Sequence, residues 1–114
     1  MRMRVCIAVI IALAGACSDS NVSREIGARC DSSDECDQRC LVESEGYPGG
    51  FCTLVCDTSD VCPPGSECTE RSGGACLFNC SGDGDCTYLG AGWRCQDVDR
   101  RGPPGGKVKV CRGG

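Results

Sequence analysis

The chain has 114 residues, of which 14 are cysteine and none histidine, with 16 acidic against 12 basic side chains and a net charge of −4. The lack of histidine removes the commonest acid–base group and most zinc and copper sites. The scarcity of large apolar residues argues against a fold held by an ordinary core and turns attention to the cysteines.

The first element is a leader. Arg2 and Arg4 precede an apolar run from Val5 to Ala14, and Ala14-Gly15-Ala16 offers small residues for cleavage. That order reads as a secretory signal peptide over residues 1–16. The run is shorter than the roughly 20 apolar residues that cross a bilayer. Cleavage makes Cys17 the first residue of the exported chain. Cys6 leaves with the leader, and twelve cysteines, an even number, run from Cys30 to Cys111, so parity sets Cys17 apart.

The string Leu13-Ala14-Gly15-Ala16-Cys17 resembles the lipobox of bacterial lipoproteins, whose cysteine becomes the lipid-bearing first residue. It departs from that pattern in one place: leucine stands four residues before the cysteine, and Ala14 takes the usual leucine position. The resemblance implies acyl chains, palmitate among them, on Cys17. One chain binds a membrane only marginally and stable anchoring takes two signals, so three chains hold permanently. Ser18, where an aspartate would resemble an inner-membrane retention signal, points to the outer membrane of a Gram-negative cell. The other reading is a soluble secreted protein with a reactive or dimer-forming Cys17. Residues 17–28 read as a flexible tether with a reach of about 20 Å.

Of residues 17–114, 14 are Leu, Ile, Val or Phe, a share below the roughly 20% at which a charged chain begins to look disordered. Cys17 to Asp99 holds 16 acidic and five basic residues, whereas Arg100 to Arg112 holds five basic and no acidic one. We read this basic end as a terminal hairpin balancing an acidic body, not as a nucleic-acid ligand.

Residues 29–114 form a cysteine-rich domain with an internal repeat. "CDSSDEC" from Cys30, "CDTSDVC" from Cys56 and "CSGDGDC" from Cys80 each open a unit of four cysteines. The units span about residues 30–52, 56–76 and 80–111, an array signature. Between the third and fourth cysteine of each lies a Gly-Gly, twice with proline beside it, flanked by strand formers, which reads as a β-hairpin. The expected fold is therefore small and disulfide-rich: three tandem four-cysteine modules with short hairpins and little helix beyond the signal peptide. In the third module a turn centred near Pro103 sets Asp97 opposite Lys109, Asp99 opposite Lys107 and Cys95 opposite Cys111.

Directly facing strand cysteines bond to each other only with strain. If instead the C-x5-C segment crosses the hairpin face and docks one cysteine onto each, the bridges are Cys30–Cys40, Cys36–Cys52, Cys56–Cys68, Cys62–Cys76, Cys80–Cys95 and Cys86–Cys111. First-to-second with third-to-fourth pairing stays open, because spacing alone does not fix connectivity.

The stretch Cys52 to Cys68, "CTLVCDTSDVCPPGSEC", is similar to the middle of a whey acidic protein domain, with Cys40 at that family's first cysteine. The similarity covers residues 40–68. It stops where Thr69, not a second cysteine, follows Cys68. It implies a serine protease inhibitor whose reactive loop is Leu41 to Phe51, although Glu43 and Glu45 make a poor lure. The whole chain is more similar to bacterial lipoproteins built from short cysteine-rich repeats, which implies an address and an architecture rather than an activity.

The spacings C-x5-C and C-x3-C are not those of a zinc or redox motif. Asp31, Asp34, Asp37, Asp83 and Asp85 are hard oxygen ligands in loops, as calcium prefers, but no EF-hand glutamate closes a loop after Asp83. They read as turn-shaping residues. We expect no cofactor, no metal and no catalysis. The expectation is a lipid-anchored envelope protein with a binding or structural role and a protein partner at the cell surface; the alternative is protease inhibition.

Overall fold

The computed structural model describes residues 22–113. The expected signal peptide, Cys17 and the expected tether up to residue 21 lie outside the described residues. Six strands form three two-stranded antiparallel sheets: β1 (Arg39–Leu41) with β2 (Phe51–Thr53), β3 (Ser66–Thr69) with β4 (Ala75–Phe78), and β5 (Trp93–Asp99) with β6 (Lys107–Gly113). Each module is one such hairpin preceded by a 3-10 turn, Ser33–Glu35, Ser59–Val61 or Asp83–Leu89. Among the described residues there is no α-helix, and none of their helices is long and apolar enough to cross a membrane.

The registers place the third and fourth cysteines of every module face to face: Cys40 opposite Cys52, Cys68 opposite Cys76 and Cys95 opposite Cys111. None of these facing pairs is bonded. The structure joins Cys30 to Cys40, Cys36 to Cys52, Cys56 to Cys68, Cys62 to Cys76, Cys80 to Cys95 and Cys86 to Cys111. The C-x5-C segment thus lies across the hairpin and is stitched to both strands. In the third module Asp97 faces Lys109 and Asp99 faces Lys107, with ion pairs at 3.2 and 2.9 Å.

The Gly-Gly pairs do more than turn the chain. Gly50 and Gly74 each stand two residues before a fourth cysteine, at φ of 86° and 113°. A Cβ on Gly50 would lie 1.8 Å from the Cys30 carbonyl oxygen, and one on Gly74 2.3 Å from that of Cys56. Only glycine lets the first cysteine of the module come so close to the hairpin.

The three modules share one interior. Tyr47 and Phe51 of the first, Phe78 of the second and Trp93 of the third pack ring on ring, with centroids 5.4 to 6.3 Å apart. Leu41, Leu77, Val98, Val108 and Val110 join the same cluster. Among the described residues, cysteines make up nine of the 22 buried apolar ones, so sulfur fills space that leucine occupies elsewhere. Hydrogen bonds close the arrangement between every pair of modules. The Arg39 guanidinium donates to the Ser72 carbonyl at 2.7 Å, Arg101 N–H to Cys68 at 2.9 Å, and Gly113 N–H to Gly46 at 2.8 Å. Of the two shapes an array allows, a rod and a compact stack, the molecule takes the second.

One boundary differs from the sequence reading. Residues 23–28, expected in the tether, belong to the domain. Ile26 is 1% exposed within the shared core, Gly27 N–H donates to Cys52, and Cys52 N–H donates to Ala28. A lone isoleucine among polar residues gives no periodic signal, yet it joins the cluster that holds Phe51 and Phe78.

Candidate functional site

The repeated structural unit is the C-x5-C segment, and its polar side chains are spent on the backbone. The residue three after the first cysteine of each module offers an oxygen to the N–H of the third cysteine. Ser33 Oγ accepts from Cys40 at 3.1 Å, Ser59 Oγ from Cys68 at 3.0 Å, and Asp83 Oδ1 from Cys95 at 2.9 Å. This is the bond that seats the segment on its hairpin.

The residue five after the first cysteine closes the turn. Glu35 Oε1 accepts from Asp31 N–H at 2.5 Å and Ser32 N–H at 3.3 Å. Asp85 Oδ2 accepts from Ser81 at 2.7 Å and Gly82 at 3.3 Å. The N–H of Asp31, then that of Ser32, holds the Glu35 carboxyl below its ordinary range. In the second module this position is Val61, which is exposed and offers no acceptor. Aligning the three units on their first cysteines reads Ser, Ser, Asp and then Glu, Val, Asp at these two places. The pattern was available in the sequence, but the more conspicuous aspartates masked it.

Three of the five candidate calcium ligands have other tasks. Asp83 and Asp85 bind backbone, and Asp37 lies 3.7 Å from Arg24. Among the described residues no three carboxylates converge; the close clusters are sulfurs, such as Cys30, Cys36 and Cys40 within 4.8 Å, and these are bonded into disulfides.

The basic end is likewise engaged. Arg100 pairs with Glu67, and Arg101 reaches Asp57 at 3.2 Å and Glu70 at 2.9 Å. The hydrogen bond that Lys107 donates to Asp99, and then the charge of that carboxylate, raise Lys107 above its ordinary value. Arg112 lies 5.2 Å from the Tyr47 ring centroid and donates to the Glu45 carbonyl at 3.1 Å. Lys107 pairs within its own hairpin, whereas the three arginines tie the third module to the first two.

The loop from Leu41 to Phe51 is folded inward. Leu41, Tyr47 and Phe51 are each 0% exposed, and Glu43–Glu45 form a 3-10 turn closed by Gly46 at φ 104°. Its exposed part is acidic and helical rather than extended. No family model, no curated protein and no solved structure matches this chain.

Proposed function

We propose that this chain is a non-enzymatic protein of the bacterial cell envelope. Acyl chains on Cys17 hold it in the membrane, and its six-bridge domain serves a binding or structural role towards a protein partner at the surface. The observation that carries the reading is one of accounting. Six bridges use every cysteine from Cys30 to Cys111, which leaves Cys17, directly after a leader-like segment, without one of them to pair with. The lipobox-like string gives that cysteine a purpose, and Ser18 supports the outer membrane of a Gram-negative cell as its address.

A non-catalytic role is supported by the chemistry of the side chains. The chain has no histidine. Asp83, Asp85 and Glu35 are committed to backbone amides, so they have little freedom for proton transfer. The inward folding of the 41–51 loop leaves no extended segment of the kind a protease cleft grips, which places inhibition behind simple binding.

Mass spectrometry of the protein extracted from membranes, without reduction, tests the reading. The expected result is an amino-terminal Cys17 peptide carrying acyl chains. An unmodified Cys17, or a Cys17–Cys17 dimer in the medium, would overturn it.

A further inference from the structure

Of the five aromatic residues, Tyr88 alone is half-exposed, at 50%. It sits on the 3-10 helix Asp83–Leu89, its ring 5.9 Å from that of Phe78. Beside Phe78 the chain enters the domain. A Cβ on Gly27 would lie 2.8 Å from Phe78 Cε2 and 3.2 Å from Val22 Cγ2. Phe78 thus links the half-exposed Tyr88 to the residues at which the chain enters the domain.

Charges of both signs flank Tyr88. Arg29 is exposed, and a Cβ on Gly90 would lie 2.5 Å from one of its guanidinium nitrogens. The carboxylates on the same helix, Asp83 and Asp85, are bound to backbone N–H groups. Partial burial already raises the Tyr88 phenol above its ordinary value, so it stays neutral.

The length of chain outside the domain selects the occupant. Cleavage before Cys17 would leave five residues, Cys17 to Asn21, ahead of Val22, with Ile26 and Gly27 fixed in the core. Fully extended, they span at most about 18 Å. An acylated Cys17 would keep the entry point within about 18 Å of the bilayer. The geometry points to Tyr88, standing on Phe78 beside the chain entry, as an interfacial foot that rests among the lipid headgroups of the membrane carrying the anchor. Tyrosine is suited to this place: its ring is apolar and its hydroxyl needs a polar partner. The inference rests on the lipid anchor proposed above and adds a fixed orientation, with the chain entry down.

The chain holds two tyrosines, and Tyr47 is 0% exposed, so Tyr88 reports alone. The full chain purified from membranes is placed in phosphatidylcholine vesicles, the Cys17→Ser chain is kept in solution, and both are iodinated by lactoperoxidase, which does not enter lipid. The expected result is a several-fold loss of iodination at Tyr88 on vesicles. A Tyr88→Trp chain in vesicles of brominated phosphatidylcholine should show a quenched component that the buried Trp93 of the parent chain lacks. Equal iodination and no quenching, with acyl chains present on Cys17 by mass, would overturn the foot and leave the anchor standing. A Cys17 without acyl chains would sink the anchor and the foot with it.

Discussion

The first and third modules are closed by two side-chain oxygens, one three residues and one five residues after the first cysteine, and the second module by the former alone. Its turn has the same entry geometry as the others: Thr58 has φ −143° and ψ 162°, against −150° and 163° at Ser32. A carboxylate at 61 should therefore find Asp57 N–H and Thr58 N–H waiting for it. Val61→Glu is expected to stabilise the oxidised protein by about 0.5–1 kcal/mol, read as a raised midpoint in guanidinium unfolding; an unchanged or lowered midpoint would refute the capping account. The pH dependence of the first module follows from Glu35. Its carboxyl is held below its unfolded value by the N–H of Asp31 and of Ser32, so the folded state binds this proton less tightly than the unfolded one. The stabilisation is fully present above the unfolded pKa and is lost as pH falls through the lowered folded value. Glu35→Gln should leave a flatter acid limb in a plot of thermal midpoint against pH. Parallel limbs for the two proteins would show that Glu35 is not linked.

At the scale of elements, the hairpin is the template and the C-x5-C segment the part that must be brought onto it. Gly73 and Gly74 separate the two requirements. Gly73 has φ 81° with nothing within 4 Å of an added Cβ, while Gly74 at φ 113° would meet the Cys56 carbonyl. Gly73→Ala should cost only the left-handed strain, about 1–2 kcal/mol. Gly74→Ala must also push the first cysteine off the strand. We expect a larger loss of stability and a fall in the yield of the Cys56–Cys68 bridge by peptide mapping. Equal effects would deny the close approach. Hairpins and register were legible because cysteine spacing, Gly-Gly and the Asp97–Lys109 and Asp99–Lys107 charge pairs are local. The packing of Ile26, the inward turn of the 41–51 loop and the ties of Arg100 and Arg101 to Glu67 and Glu70 were not. They join residues far apart in sequence, and no repeat or periodicity announces them. The serine and aspartate oxygens that seat each segment lay between: visible by alignment of the units, meaningless without the N–H groups they face.

For the whole molecule, the question is whether three modules are three folding units. Each bridge closes 10 to 25 residues and in the chain-entropy model contributes roughly 3 kcal/mol, which suggests that any module with its two bridges could stand alone. The shared interior argues otherwise. Phe51 touches Phe78 and Trp93, so its burial needs all three modules. Removing the third module would also strip Asp57, Glu67 and Glu70 of the arginines that pair with them. Full reduction should therefore abolish near-ultraviolet circular dichroism, and a chain of residues 22–79 should fail even when oxidised. Refolded in a glutathione buffer, it is expected to give a mixture of bridge isomers with few protected amides, whereas residues 22–114 converge on one. If the truncated chain instead settled into a single isomer with Cys30–Cys40, Cys36–Cys52, Cys56–Cys68 and Cys62–Cys76 bonded and its amides protected, the modules would be independent beads and the common aromatic core a matter of docking. The sparse composition makes the first outcome the expected one: with so few large apolar residues per module, burial becomes favourable only when the three are pooled, and the bridges then hold a packing that no single module has the side chains to build.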